Sequence, residues 1–388
     1  MTRDVYLLAA ARTPMGGFQG ALKDFTAPQL GAIAIAGALE QSATDPAAVN
    51  EVIMGNVISA GLKQAPARQA MRQAGLPDAC GATTLNKVCG SGMKAAMLAT
   101  DLIRAGSAEV VVAGGMESMT NAPYLLGKAR GGMRMGHGEL KDSMFLDGLE
   151  DAETGGAMGA FAQQTADDYQ LSREAMDTFA IESLRRARQA IESKSLLSEI
   201  APVQIGDDLM VDDEQPGRAK PEKIPSLRPA FKKDGTITAA NSSSISDGAS
   251  ALVLSAQPGS PQQPALARVV GHATHSRHPS EFTIAPVGAI NKLCERIGWE
   301  LADVDLFEIN EAFAMVTMLA IQELQLDPAR VNIYGGACAQ GHPIGSTGSR
   351  LIATLAHALH RENKQRGIAA LCIGGGEATA VALERATA

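Results

Sequence analysis

Short apolar runs alternate with alanine-rich amphipathic stretches along most of this chain, and that rhythm predicts its elements. Residues 5–11 read as a first strand closed by Arg12-Thr-Pro14. Residues 27–41 predict a buried helix, 51–59 a strand with Gly55 and Asn56 near its middle, and 66–74 a second helix. Residues 83–88 run extended into Cys89, 93–105 predict a helix that Gly106 stops, and 109–113 form a β-branched run ending at Gly114-Gly115. From about 116 to 236 the pattern breaks down into glycines, methionines and charges. One helix stands out there, with Ser172 as N-cap and Glu174 behind it, running to about 193. Sheet-like patterning returns at 248–255, a turn-rich linker covers 258–264, and a second block follows to the end.

That second block echoes the first. Val52-Ile-Met-Gly-Asn56 compares with Leu306-Phe-Glu-Ile-Asn310, and Val110-Val-Val-Ala-Gly-Gly115 with Leu371-Cys-Ile-Gly-Gly375. The Cys89-to-helix junction compares with Gly335-Gly-Ala-Cys-Ala-Gln-Gly-His342, which leads into a helix predicted over 346–360. Three matched junctions in one order imply a duplicated unit in an α/β protein with buried mixed sheets. The implied division is 1–117 with 245–268 as a first half, 118–244 as an inserted loop domain, and 269–388 as a second half. Ligand sites are expected where loops of the two halves meet.

Composition changes this picture only at the margins. The 388 residues are 45% apolar but only 4% aromatic, so the cores must be built from small aliphatic side chains and 40 glycines. A net charge of −8 gives no general attraction to nucleic acid or anionic membrane, so a phosphorylated ligand would need a local basic patch. Cysteines 80, 89, 294, 338 and 372 form no short-spaced metal or redox pair, which fits reduced thiols in the cytoplasm. Neither the first apolar run nor the tail Glu384-Arg-Ala-Thr-Ala388 reads as an address or a membrane segment.

Four residues carry candidate chemistry. Cys89 sits between Lys87-Val88 and Gly90-Ser-Gly92 at a predicted helix N-terminus, where the helix dipole favours a nucleophilic thiolate. A buried packing cysteine is the plain alternative. His342, between glycines and fixed by Pro343, can take a thiol proton and sustain an ion pair, or can be a structural turn residue. Cys372 ends a buried strand before Gly374-Gly-Gly376, where it can serve as acid or base, and Gly374 can offer an N–H to an oxyanion; it can equally be a packed strand cysteine. Asn310 ends an apolar strand, either to hold a water or carbonyl by its amide or as a helix N-cap. His272, His275 and His278 read as a segment after a strand, unaligned and with no evident acidic partner, so no metal is expected.

The blocks NKVCGSGMKA, GGMESM, NEAFA, GHPIGSTGSR and CIGGGEA, with LRPAF and SDGAS, closely resemble the thiolase family over essentially the whole chain. The resemblance implies two αβαβα halves with a loop domain inserted in the first, assembled as dimers or tetramers. It implies that Cys89 takes the acyl group of an acyl-CoA while His342 accepts its proton, and that Cys372 deprotonates acetyl-CoA for a Claisen condensation. His342 and a water on Asn310 would stabilise the enolate, and the N–H groups of Cys89 and Gly374 the tetrahedral oxyanion. Coenzyme A is then a substrate and no other cofactor is required. By the same resemblance Ser243 and Phe231 lie along the pantetheine arm, and Met158 and Phe313 near the acyl end. Arg218 and Lys220, in the basic inserted segment, are the candidate phosphate contacts.

Departures from that pattern fall at Ala157, where short-chain biosynthetic relatives often have histidine, at Ser244, where glycine is common, and at Phe282 and Gln340. They leave acyl-chain length open. A fatty-acid or polyketide condensing enzyme shares the fold, but Cys372 argues against it. A non-catalytic acyl-CoA-binding relative would be expected to lack one of the four catalytic residues. The charged stretch 128–134 reads either as a contact joining dimers into a tetramer or as a solvated loop.

Overall fold

A computed structural model describes residues 3–386, so Thr387 and Ala388 of the C-terminal tail lie outside the described residues. The first half provides β1 (Tyr6–Arg12), α1 (Ala27–Ser42), β2 (Glu51–Gly55), α2 (Pro66–Gln73), β3 (Gly81–Leu85), α3 (Ser91–Arg104) and β4 (Val110–Ser118). Two helices of the inserted region follow, α4 (Met158–Asp168) and α5 (Arg173–Glu192). Ser172 caps α5 through Ala175 N as its sequence implies, whereas α4 lies in a stretch read above as loop. β5 (Ser246–Ser255) returns to the first half. The second half holds β6 (Ala267–Ser276), α6 (Ala285–Ile297), β7 (Leu306–Ile309), α7 (Ala314–Glu323), α8 (Thr347–Arg361), β8 (Arg366–Ile373) and β9 (Glu377–Arg385). The linker at 258–264 closes as a small hairpin, Gly259–Ser260 against Gln263–Pro264.

These strands form one sheet in the order β7-β8-β9-β6-β1-β5-β4-β2-β3, with Gly16–Gly17 pairing on β5. β2 runs parallel to β3 and β4, and β7 parallel to β8; the remaining pairs are antiparallel. The duplication is visible in this order, since β1, β5, β4 and β2 match β6, β9, β8 and β7 outward from the middle. Within the sheet, β1 joins β6 where Tyr6 and Leu7 pair with Arg268 and Ala267. α3 and α8 pack on each other between the two half-sheets, and one apolar core holds Met93, Ile103, Val111 and Leu252 together with Leu351, Leu355 and Leu371. α1 and α2 cover the outer face of the first half, α6 that of the second.

Glycine sets how closely α3 and α8 approach. A Cβ on Gly92 would stand 2.5 Å from Ser349 Oγ, and one on Gly348 would stand 2.4 Å from the backbone nitrogen of Met93. The two glycines occupy matching places at the starts of matching helices, so each helix seats its first turn in the other's backbone. Even a methyl group there would force the helices apart.

Two expectations need correction. The strand from residue 51 ends at Gly55, because the N–H groups of Val57 and Ile58 turn away to the carboxylate of Glu117. His272 and His275 lie within β6 rather than after it. Their segment alternates buried and half-buried positions, a strand pattern blurred by glycine and histidine.

Candidate active site

A tight turn between β3 and α3 presents Cys89. Val88 N donates to Asn86 Oδ1 (2.8 Å), Lys87 N to Ser91 Oγ (2.8 Å), and Ser91 Oγ to Val88 O (2.7 Å). Gly90 N reaches back to Lys87 O at 3.0 Å. Val88 sits at φ +46°, a left-handed conformation that a β-branched residue rarely adopts. Holding it there costs about 1–3 kcal/mol, supplied by the turn's hydrogen bonds and the packing around it. The strain turns the Cys89 sulfur toward a cavity at the junction of the halves.

That cavity measures about 400 Å³ and is lined mainly by apolar side chains. Val88 and Cys89 come from the first half, and Phe282, Ala312, Phe313, His342, Ile344 and Gly374 from the second. The inserted region adds Met158, Phe231 and Ser243. Met158 packs against Gly374, and Phe231 lies across Gly159. Phe313 meets Phe231 and Phe282 edge to face, with centroids 6.2 and 6.3 Å apart. Ser243 is pinned by its N–H and hydroxyl to Ala312 O (2.9 and 3.0 Å). Cys372 and Asn310 do not line the cavity. Cys372 is buried at the end of β8, in the same apolar cluster as Met158, Phe282 and Phe313. Asn310 is fully buried, with both side-chain amide atoms unpartnered. It is no helix N-cap: α7 begins at Ala314, with Phe313 as its cap residue.

The electrostatics differ from the thiolate expected at a helix start. Burial pushes Cys89 up to about 11, and the nearby charge of Glu117 adds to this, while the N–H groups of Gly374 and of Cys89 itself oppose it. Desolvation therefore outweighs the local dipoles in the unliganded protein. Burial, helped by the positive charge of Arg350, pushes His342 down to about 3, so its ring is neutral. Its Nε2 has no hydrogen-bond partner, and both shifts favour a neutral thiol and a neutral imidazole over a standing ion pair. Cys372 lies well above the ordinary thiol range, through burial and then the proximity of Cys89. Alkylation of Cys89 by iodoacetamide should accelerate with pH toward about 11. A plateau beginning near neutrality would contradict the neutral pair.

One residue of the site went unread in the sequence. Glu117, fully buried at the end of β4, accepts from Asn56 Nδ2 (2.8 Å), Val57 N (3.0 Å), Ile58 N (3.1 Å) and Gly345 N (3.0 Å). It ties the ends of two first-half strands to the loop that carries His342. Its signal was the acid inside GGMESM, among residues otherwise suited to a buried strand.

The residues that depart from the family pattern fit locally. Ala157 lines the cavity. Ser244 has an ordinary negative φ, so glycine is not required there, and its carbonyl accepts the N–H of His342 at 3.3 Å. Gln340 is buried and donates to Tyr334 O at 3.1 Å. Arg218 and Lys220 border a neighbouring groove of about 350 Å³ that shares Ala239 and Ser244 with the cavity, and Arg218 also pairs with Glu214 at 2.6 Å. His272 bonds Asp101 at 3.0 Å and His278 bonds Ser280 at 2.9 Å, each away from the cavity. Among the described residues no cluster of three or more potential metal ligands is present, and no helix is long and apolar enough to cross a membrane.

Comparison with known proteins bears on the family and the fold. The family profile described as "Thiolase, N-terminal domain" matches residues 5–257, and "Thiolase, C-terminal domain" matches residues 263–385. The chain is 47% identical to an acetyl-CoA acetyltransferase of Pseudomonas aeruginosa over 391 residues, spanning 99% of this chain and 100% of that protein. It is 46% identical to one from Schizosaccharomyces pombe over 390 residues, spanning 98% and 99%. Among solved structures, the Acat5 thiolase of Ascaris suum in complex with coenzyme A superposes with a TM-score of 0.93 at 41% identity, covering 99% of this chain and 100% of that one. Human mitochondrial 3-ketoacyl-CoA thiolase superposes with a TM-score of 0.94 at 36% identity, covering 99% of both. With matches over nearly its full length in both sequence and fold, the chain belongs to the thiolase family of acyltransferases.

Proposed function

We propose that this thiolase cleaves and forms acetoacetyl-CoA through an acyl-Cys89 intermediate. The observation that supports this most directly is the cavity joining the halves, where the Cys89 sulfur meets the Gly374 N–H and His342, with its Nε2 unpartnered, lines the same wall. As the thioester carbonyl approaches, the Cys89 proton passes to His342 Nε2 and the sulfur attacks the carbonyl carbon. The N–H groups now directed at the sulfur are placed to hold the tetrahedral oxyanion; one such donor typically contributes on the order of 100- to 1,000-fold in rate. His342 returns its proton to the departing CoA thiolate. In condensation, Cys372 as its thiolate then takes a proton from the methyl of acetyl-CoA, the carbanion attacks the acyl-enzyme carbonyl, the carbon–sulfur bond to Cys89 breaks, and the Cys89 sulfur takes up the proton from Cys372. The unpaired amide of Asn310 is suited to hold a water at the enolate oxygen.

Coenzyme A would run from the groove bordered by Arg218 and Lys220, past Ser243 and Phe231, to Cys89. The edge-to-face pair of Phe282 and Phe313 narrows the cavity and favours a short acyl chain. We therefore expect kcat/KM for thiolysis to be highest with acetoacetyl-CoA and to fall as the 3-ketoacyl chain lengthens. A maximum at a long chain would overturn this preference. The surface supports a reading of the subunit assembly: Tyr124, Met133, Met135 and Leu140 lie exposed in the same segment as the exposed Lys128, Arg130 and Arg134. We assign this arm to a contact between pairs of subunits in a homotetramer. Sedimentation should show Met135→Asp lowering the assembly from four chains to two, and an unchanged mass would refute the contact.

A further inference from the structure

We propose that Thr347 is a positioning residue for the base: its hydroxyl holds the Nδ1–H of His342, which leaves Nε2 an unprotonated lone pair facing the Cys89 cavity. The inference rests on the acyl-transfer role given to His342 above. Thr347 is the first residue of α8 and is fully buried. Its Oγ1 lies 2.6 Å from His342 Nδ1 and also donates to Pro343 O at 3.0 Å. A hydroxyl carries one proton. A hydroxyl that gives its proton to the carbonyl one turn back accepts from the ring, and that arrangement places the ring proton on Nδ1.

The surroundings leave the ring little choice of position. His342 N donates to Ser246 Oγ (3.2 Å) and Ser244 O (3.3 Å), and Pro343 fixes the direction of the chain that follows. Nε2 itself has no protein partner. Because burial keeps the ring neutral, the location of its single proton decides whether it can accept one from Cys89. A carboxylate in place of Thr347 would also orient the ring, but its charge would stabilise the imidazolium and hinder the return of the proton to the CoA thiolate. A neutral hydroxyl sets the tautomer without adding that charge.

The test uses the full chain with 15N-labelled histidine rings, the His342 signals being assigned by their loss in His342→Gln. Wild type should show a protonated Nδ1 and a bare Nε2. Thr347→Val, nearly the same shape, should lose this preference and lower kcat on the order of 10- to 100-fold, less than the roughly 100- to 10,000-fold worth of the base itself. KM for acetoacetyl-CoA should stay nearly unchanged, and Thr347→Ser should restore both signature and rate. A wild-type Nε2–H tautomer, or a Thr347→Val protein with unaltered signature and kcat, would overturn the proposal. If Thr347→Val fails to fold, the wild-type spectrum and Thr347→Ser still decide the matter. If the protein thiolysed no 3-ketoacyl-CoA yet showed the expected tautomers, the acyl-transfer reading would fall and tautomer control would stand.

Discussion

A Cys89→Ala protein is expected to bind coenzyme A and to show no thiolysis of acetoacetyl-CoA above background. The sulfur forms the covalent bond in both half-reactions, and among the described residues that line the cavity Cys89 is the one thiol, held at the Gly374 N–H. Removing the nucleophile of a covalent mechanism typically costs on the order of a million-fold. Binding should persist, because Ser243, Phe231 and the basic groove are fixed by contacts that do not involve Cys89. Equilibrium binding of coenzyme A and a coupled thiolysis assay read the two properties separately. Normal turnover by the variant would refute the assigned chemistry.

A Cys372→Ser protein should separate the two half-reactions. A serine hydroxyl is a far weaker acid than a thiol, and in this buried place its alkoxide is out of reach. Condensation of acetyl-CoA should therefore fall by about 100- to 10,000-fold, the usual worth of a positioned base. Acylation of Cys89 should survive, visible by mass spectrometry as an acetyl adduct on the peptide carrying Cys89. Failure to trap any adduct would argue against the separate roles. The proximity that raises Cys372 couples the two sulfurs: neighbouring thiolates repel, so Cys372 ionises only while Cys89 is neutral, as a thiol or as the thioester.

Much of this site was legible before folding, for reasons that differ by residue. Cys89 and His342 sit in glycine-rich junctions, where local chain chemistry itself marks a turn before a helix. Gly92 and Gly348 were visible as residues, but the helix contact requiring them spans more than 250 positions and leaves no local pattern. Glu117 was hidden for a similar reason, because its four donors come from two other segments. The strain at Val88 could not be foreseen, since valine is a poor choice for a left-handed turn and only the surrounding contacts hold it there. The thiolate expectation failed on magnitude: a helix start favours the charged sulfur, but burial disfavours it more. At His272 and His275, glycine and histidine disguised an alternating strand.

The strand order also bears on how the protein is made. β5, which separates β1 from β4, reaches only to Ser255 and follows the whole inserted region in sequence. During synthesis the first half must therefore wait with its central strand missing while more than a hundred residues of α4, α5 and loop emerge. β4 and β1 expose unpaired edges throughout that interval, which makes it the period of greatest exposure to aggregation. His342 and Cys372 arrive later still, so a nascent chain displays its nucleophile long before it has a base. Slowing translation just beyond residue 255, once the strand has cleared the ribosome, should favour soluble protein more than slowing it at any earlier point.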